Sequence, residues 1–279
     1  MAGTGGLGLI AGSGALPRLI AEAERAAGRP YRVVRFAGVS LDWVEDHPVI
    51  EVPFEKPGRL FEALRAAGCD RVSFAGGMTR PHLDPRRFDL TALRLAPKVL
   101  PAIGGGDDAL LRTLAAVFED AGFRVVPPDG LLGDLAVRAG VLSEKQPSDA
   151  DRDDAARGFE IVAALGRVDV GQGAVVAGGL CLGLETLQGT DALLVFVAET
   201  RPEGIAGGVL AKAPKPGQDR RLDMPTIGPA TVEAAATAGL SGIAVAAEDI
   251  LLLDRAETVA RANAHGLALW AVELSPSMR

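Results

Sequence analysis

Short apolar runs alternate with amphipathic segments through the first half of the chain. Residues 7–10, 31–36 and 71–75 are apolar runs that predict strands. Residues 16–27 and 58–67 repeat their apolar positions with helical spacing. Strands that alternate with helices in this way predict an α/β domain with an open parallel sheet of the Rossmann type.

The first half continues with two helices and a strand. Residues 90–100 predict a helix that Pro97 breaks, and residues 109–121 predict a strongly amphipathic helix. Residues 123–126 predict a further strand. Residues 140–154 are polar and charged, which indicates a linker. We therefore expect a Rossmann-like nucleotide-binding domain over residues 1–140 and a C-terminal domain over residues 141–279.

The second half has a less regular pattern of strands and helices. Ser148 and Asp151 form an N-cap pattern for a helix that continues to about residue 165. The pattern predicts a mixed α/β domain, and the candidate residues described below make it the expected catalytic domain. Its other predicted strands are 174–177, 180–184, 209–211, 242–246, 251–253 and 267–272, and its other predicted helices are 192–199, 229–238 and 257–264.

Composition and charge narrow the classes of function. The net charge of −7 does not favour binding to nucleic acid. Cys69 and Cys181 are far apart and belong to no paired motif, which favours reduced thiols in a cytosolic protein. The three histidines are isolated, so a metal site is expected to use oxygen ligands, which suit Mg²⁺ or Mn²⁺. Neither a signal peptide nor a membrane span is predicted.

Three glycine-rich turns occur where ligands usually bind in such a domain. Gly12-Ser13-Gly14 and Gly76-Gly77-Met78 follow predicted strands, and Gly104 to Asp108 precede a predicted helix. Ligands bind at the carboxyl ends of parallel strands, and helix N-termini bind anions. We interpret the turns as nucleotide or phosphate contacts. Ordinary strand-to-helix turns, an N-cap at Asp107 or Asp108, and Met78 as core filler remain alternatives.

Residues 207–229 form the segment with the most unusual composition. A short strand ends at Lys212, and prolines and glycines then prevent regular structure up to Pro229, which begins a helix. Carboxylates and lysines from this segment and from residues 185–191 are suited to cleaving a phosphoanhydride with a divalent metal. The alternatives are that these residues form a structural ion-pair network, and that Thr190 and Asp191 cap a helix at residue 192. The residues of this constellation are Glu185, Thr190, Asp191, Lys212, Lys215, Gln218 and Asp223.

The same residues carry a resemblance to a known family. Lys212 to Asp219, Asp223 and Ile227-Gly228-Pro229 resemble the LpxI-type UDP-2,3-diacylglucosamine pyrophosphatases. Residues 165–172 and 189–192 are similar to that family too, as are the three glycine-rich turns. The similarity extends over essentially the whole chain.

The resemblance implies a function and a set of site residues. It implies Mg²⁺-dependent hydrolysis of UDP-2,3-diacylglucosamine to UMP and 2,3-diacylglucosamine 1-phosphate in lipid A biosynthesis, with the ligand between two domains. It implies Asp223, Asp191 and Lys212 as catalytic residues and Asp223, Asp191 and Glu185 as metal ligands. The residues expected to contact substrate are Gly12, Ser13, Gly14, Gly76, Gly77, Met78, Lys98, Gly105, Gly106, Asp107, Thr190, Lys215 and Gln218.

A lipid substrate leads us to expect an apolar groove and contact with a membrane, and two alternative functions stay open. The site needs an apolar groove, for which we predict Met78, Leu93, Leu95, Val99, Val209 and Leu210 as lining residues. We expect a cytoplasmic protein in weak peripheral contact with the inner membrane, and a homodimer is left open. The rivals are a non-catalytic carrier of a UDP-sugar lipid and a nicotinamide dehydrogenase. The second is disfavoured because no acidic residue closes strand 31–36.

Overall fold

The protein divides into two compact units. The computed structural model describes residues 5–78, 81–104, 107–132, 135–222, 224–275 and 278, without the side chains of Asp107 and Asp108. The first unit contains residues 1–133 together with 219–223, and the second contains residues 134–218 and 224–279. Residues 219–222 of the loop 213–225, which we call the central loop, thus group with the first unit, which the sequence did not predict.

The first unit has the predicted parallel sheet. Its order is β3-β2-β1-β4-β5, and each described pairing is parallel. The direction of the strand order changes between β1 and β4, where open α/β sheets bind ligands. The strands are β1 (Gly6–Ala11), β2 (Tyr31–Phe36), β3 (Val49–Val52), β4 (Cys69–Ala75) and β5 (Arg124–Val125). The helices are α1 (Leu16–Ala26), α2 (Pro57–Ala66), α3 (Leu90–Ile103), α4 (Asp107–Asp120) and α5 (Asp129–Leu132).

Helix α3 differs from the prediction because Pro97 does not break it. The helix continues through Pro97 and Pro101, both of which are exposed. A proline leaves the carbonyl four residues earlier without its helical donor, and water can satisfy that carbonyl on an exposed face. Asp89 fixes the start of the helix by accepting a hydrogen bond of 2.7 Å from the Ala92 N–H.

The second unit is built on a mixed sheet of order β6-β13-β11-β9-β7-β8. Strands β9, β11 and β13 are parallel, while β6, β7 and β8 join by antiparallel pairing. The strands of this sheet are β6 (Gly140–Val141), β7 (Gly173–Ala177), β8 (Leu180–Leu184), β9 (Val209–Lys212), β11 (Gly242–Ala246) and β13 (Ala268–Val272). Strands β10 (Thr226–Ile227) and β12 (Leu251–Leu252) pair in parallel as a separate two-stranded sheet. The helices are α6 (Asp149–Gly166), α7 (Gly189–Thr200), α8 (Pro229–Thr237) and α9 (Arg255–Ala264).

The fold class is therefore confirmed as α/β, with a parallel sheet and a mixed sheet in two units. The start of the predicted linker is instead β6, whose two residues pair with β13. The predicted capping box of α6 is present, because Ser148 and Asp151 bond to each other's backbone N–H groups. No helix in the described ranges is long and apolar enough to span a membrane.

Candidate active site

Lys212 lies at the end of β9 in a buried polar cluster, which we call the Lys212 cluster. Its Nζ donates to Glu185 Oε2 over 3.0 Å and also to the Thr190 hydroxyl oxygen. The Thr190 hydroxyl donates in turn to Glu185 Oε2 over 2.8 Å. The side chains of Lys212 and Glu185 are only 4 % and 7 % exposed. The structure thus brings together three of the residues that the sequence proposed as one constellation.

Gly173, the first residue of β7, and Gly171 just before it allow Glu185 to enter this cluster. The backbone N–H of Glu185 donates to the Gly173 carbonyl over 2.8 Å. A Cβ at Gly173 would lie 2.5 Å from Glu185 Oε2, and one at Gly171 would clash with the Glu185 carbonyl. Gly171 and Gly173 are therefore required by the close approach of Glu185, whose buried carboxylate is neutralised by Lys212.

Lys215 belongs to a second contact at the start of the central loop. Its ammonium pairs with Asp169, which has a left-handed backbone with φ of 55°. The Lys215 N–H donates to the Gln218 side-chain oxygen over 2.9 Å. A Cβ at Gly166 would clash with Pro216, so the end of α6 packs tightly under this loop. Asp169 was not among the site residues predicted from the sequence, although it lies just before Gly171 and Gly173, the two glycines beside Glu185.

Asp191 and Thr190 lie in the first turn of α7 rather than before it. The helix begins at Gly189, and its N-cap residue is Gln188, without a side-chain cap. The suggestion that Thr190 and Asp191 cap a helix at residue 192 was therefore wrong. Asp191 is exposed.

The described carboxylates fit Mg²⁺ unequally. Glu185 Oε2 already accepts two hydrogen bonds within the Lys212 cluster, which favours the ion-pair interpretation over metal binding. Exposed Asp191 suits Mg²⁺, which takes one or two carboxylates and keeps several waters. Within the described ranges, no three His, Cys, Asp or Glu side chains form a metal cluster. Asp223 lies outside the described residues.

In the first unit, two of the predicted glycine turns meet at the carboxyl ends of β1 and β4. The Ser13 N–H donates to the Gly77 carbonyl over 2.7 Å, and the Gly77 N–H donates back over 3.1 Å. A Cβ on Gly12 or Gly76 would clash with the opposite turn. Glycine is therefore required by the close approach of these turns. The N–H groups of Ser13 and Gly77, which were expected to bind phosphate, donate instead to each other's carbonyl oxygens.

The other residues predicted in the first unit are more scattered. Met78 is 39 % exposed, and Lys98 donates to Asp120 on α4 over 2.9 Å. Asp107 is the first residue of α4. Gly105 and Gly106 lie outside the described residues. Contacts of these residues with substrate stay predictions.

The last part of the central loop is anchored within the first unit by a cluster that the sequence missed, the Arg221 cluster. Arg221 donates to Asp219 over 2.8 Å and to Glu119 on α4 over 2.9 Å. Its guanidinium lowers the pKa of the Asp219 carboxyl below its usual value of 3.8. Leu222 is 3 % exposed and joins the apolar core of this unit. The signal in the sequence that could have indicated this anchor was Leu222, an isolated leucine among charged residues.

The chain is similar to known proteins over nearly its whole length. The LpxI N-terminal domain family matches residues 6–135, and the LpxI C-terminal domain family matches residues 138–270. A protein of Caulobacter vibrioides named UDP-2,3-diacylglucosamine pyrophosphatase LpxI is 41 % identical over 273 residues. That alignment covers 96 % of this chain and 97 % of the relative. The resemblance found in the motifs is confirmed, and the chain belongs to the LpxI family.

Proposed function

We propose that the protein hydrolyses the pyrophosphate bond of UDP-2,3-diacylglucosamine to UMP and 2,3-diacylglucosamine 1-phosphate. One observation carries the proposal: the 41 % identity to the named pyrophosphatase runs through 96 % of the chain, so it includes both units and the central loop. Residues 207–229, with two lysines and two aspartates, are chemically suited to a substrate with two linked phosphates.

Within that reaction, we assign Lys212 a positioning role. Its ammonium is buried, and it connects the end of β9 to Glu185 and to Thr190 in the first turn of α7. Asp191 is the next residue of the same turn, so the Lys212 cluster fixes the start of the loop relative to the Asp191 backbone. Lys215, with a side chain that is 12 % exposed beside Asp169, is the lysine we propose for binding a phosphate oxygen.

The proposal includes Mg²⁺, with Mn²⁺ as a substitute. Asp191 and Asp223 would hold the ion, while Glu185 remains paired with Lys212. When bound, the ion would neutralise phosphate charge and promote ionisation of an attacking water. An assay with purified protein, synthetic substrate and a chelator tests this part, and we expect activity to be lost with the chelator and restored by Mg²⁺.

The experiment for the function itself compares the wild type with Asp223→Ala. Small molecules released from each denatured protein are identified by mass spectrometry, and hydrolysis is assayed in parallel. We expect 2,3-diacylglucosamine 1-phosphate from the wild type and intact UDP-2,3-diacylglucosamine from Asp223→Ala. Removing a carboxylate also relieves repulsion from the pyrophosphate, so binding should persist. Intact substrate from both proteins, with no hydrolysis, would instead identify a carrier.

The lipid substrate leads us to propose peripheral contact with the cytoplasmic face of the inner membrane. Flotation of the protein with vesicles of anionic lipid, with and without substrate, tests this location. Association that needs the substrate is the expected result, because a chain of net charge −7 gains little from anionic lipid alone. Failure to float with either vesicle would contradict it.

A homodimer is proposed from the edge of the second sheet. Strand β8 ends that sheet, and it carries exposed Leu180 and Leu184 beside exposed Phe196 of α7. An exposed apolar edge strand is suited to pairing with a second copy. Sedimentation of the wild type should show a dimer that Phe196→Asp converts to a monomer, whereas a monomeric wild type would contradict the proposal.

A further inference from the structure

Helix α3 of the first unit presents an apolar face to solvent. The side chains of Leu90, Leu93 and Leu100 are 74 %, 54 % and 47 % exposed. Pro97 and Pro101 of the same helix are exposed as well. Because residues three or four apart are neighbours on a helix surface, these positions lie along one side of α3. We call this face the α3 strip.

Packing within the first unit does not account for the α3 strip. Leu95 and Val99, on the other side of α3, already pack against the core of that unit. Val209 and Leu210, which were also predicted to line an apolar groove, are fully buried in the second unit. Within the described part of the first unit, every large hydrophobic side chain that is exposed belongs to the strip, except Met78. Exposed apolar surface that is concentrated in one place indicates an interaction site.

Basic side chains flank the α3 strip. Arg94 and Lys98 are exposed on α3, and Arg86 and Arg87 are exposed just before it. Lys98 is paired with Asp120 of α4 over 2.9 Å. Helix α3 itself contains no acidic residue, although acidic residues outnumber basic ones in the chain by 36 to 29. An apolar strip that is flanked by cations is complementary to a surface of anionic lipid.

We propose that the α3 strip docks on the surface of an anionic lipid bilayer, with α3 lying among the headgroups. This inference deepens the proposed membrane contact and rests on the proposed function, since a hydrolase of a lipid nucleotide must meet its substrate at a bilayer. Helix α3 has 14 residues and is therefore about 21 Å long, which is too short to cross a hydrocarbon core of about 30 Å. The carbonyls that the two prolines leave without helical donors stay hydrated among headgroups.

A second copy of the chain fits the α3 strip less well than a bilayer does. In a two-fold interface, the same surface of both copies is in contact. Pairing of α3 with itself would therefore bring Arg94 and Lys98 towards the same cations of the other copy, and α3 has no acidic residue to offset them. An acidic protein surface is the remaining occupant, and the test below includes it.

The first measurement is flotation with phosphatidylglycerol vesicles that contain the substrate, with a chelator to remove the metal ion that hydrolysis is proposed to need. Leu90→Glu places a charge on the α3 strip, and an acidic residue in the first turn of a helix is compatible with its dipole. Leu187→Glu is the matched control, because Leu187 is 76 % exposed in the second unit. We expect vesicle affinity to fall at least about tenfold for Leu90→Glu and to stay unchanged for Leu187→Glu. Equal losses in both variants, or no loss in either, would overturn the proposal.

The charge of the lipid separates the two parts of the contact. Arg94→Gln should weaken binding to phosphatidylglycerol vesicles about fivefold and leave binding to phosphatidylcholine vesicles within about twofold of the wild type. Leu90→Glu should weaken binding to both lipids, because the leucine no longer enters the interface. Arg157→Gln, which changes an exposed arginine of α6 in the second unit, should match the wild type on both lipids. An equal loss for Arg94→Gln on the two lipids would overturn anionic lipid as the partner.

A fluorescent variant tests the position of the α3 strip without destabilising it. Tryptophan is favoured at membrane interfaces, so Leu90→Trp should keep vesicle binding. We expect brominated lipid to quench its fluorescence beyond that of the wild type, which contains Trp43 and Trp270. Leu187→Trp should show only the quenching of the wild type. Vesicle-bound Leu90→Trp that brominated lipid does not quench would overturn the proposal and favour an acidic protein as the partner of the strip.

A substrate with butanoyl chains, dispersed in water without vesicles, separates this proposal from the proposed function. We expect Leu90→Glu to hydrolyse it within about twofold of the wild type and to lose about tenfold in kcat/KM on the vesicle-bound substrate. A wild type that hydrolyses neither substrate but floats with the expected dependence on Leu90 would contradict the hydrolase and retain the docking surface. Hydrolysis together with flotation that is insensitive to Leu90→Glu and Arg94→Gln would retain the hydrolase and overturn the docking surface.

Discussion

The two ends of the central loop are held by two clusters of charged side chains, one of them buried and the other exposed to solvent. The Lys212 cluster in the second unit is buried, with side-chain exposures of 4 % for Lys212 and 7 % for Glu185. The Arg221 cluster in the first unit lies at the surface, with exposures of 48 % for Arg221 and 43 % for Glu119. The same kind of interaction therefore occurs in two different dielectric environments within ten residues of chain.

This difference means that the two clusters stabilise the loop in different ways. A buried ion pair costs about 3–5 kcal/mol when one partner is removed, because the other charge is left without compensation. An exposed pair contributes about 0.2–1 kcal/mol, since water competes for both charges. We infer that the Lys212 cluster fixes the start of the loop, whereas Leu222, buried in the first unit, anchors its end more than the charges do.

The largest effect is expected from Lys212→Met. The substitution leaves the Glu185 carboxylate buried without its cation, so the free energy of unfolding should fall by about 3–5 kcal/mol. Urea denaturation followed by circular dichroism measures this. A loss below about 1 kcal/mol would show that water reaches Glu185 and that the two clusters are alike.

A double variant separates stability from positioning. Lys212→Met with Glu185→Leu removes both buried charges, and such replacements are often neutral for stability. We expect stability to return to within about 1 kcal/mol of the wild type, while kcat falls below that of the wild type in both the single and the double variant because Thr190 has lost its contact with β9. Recovery of kcat together with stability would argue against a positioning role for Lys212.

The sequence predicted the elements whose periodicity is strong and local. The bounds of β2, β8 and β11 agree with the predicted ranges to the residue. It missed β3, an edge strand in which Glu51 interrupts the apolar run and pairs with Arg35. It also ended α3 too early, because whether a proline breaks a helix depends on how exposed that turn is.

The sequence predicted which residues belong to the site better than it predicted the contacts between them. The motifs brought Glu185, Thr190 and Lys212 into one group, and the structure joins them by hydrogen bonds. Which charged side chains pair with each other could not be predicted, since that depends on burial and on the approach allowed by Gly173. The anchoring of residues 219–222 in the first unit was missed because it depends on contacts distant in sequence.

A smaller effect is expected from Gly173→Ala, which tests how tightly the buried cluster is packed. The new Cβ would lie 2.5 Å from Glu185 Oε2, so the carboxylate must shift from Lys212. Overpacking of this kind costs about 1–3 kcal/mol. Gly104→Ala is the control in thermal denaturation, because its Cβ would meet its nearest atom at 3.6 Å. Equal shifts in Tm for both variants would contradict tight packing around Glu185.

A still smaller effect is expected from Arg221→Met. The substitution keeps an apolar stem of similar length and removes the bonds to Asp219 and Glu119. The free energy of unfolding should fall by about 0.2–1 kcal/mol, and added salt should weaken the wild type toward the variant. A loss above about 3 kcal/mol would mean that the Arg221 cluster behaves like the buried one.

The smallest effect, in Asp219→Asn, depends on pH. Because Arg221 lowers the pKa of Asp219 from 3.8 in the folded state, the charged carboxylate stabilises the fold. This contribution is fully present above the unfolded pKa and is lost as the pH falls through the lower folded pKa. The stabilities of wild type and Asp219→Asn should therefore differ at neutral pH and converge as the pH falls below the folded pKa, as measured by urea denaturation at a series of pH values. A difference that persists undiminished at acid pH would show that Asp219 holds the loop by hydrogen-bond geometry, which an amide retains only in part, and not by its charge.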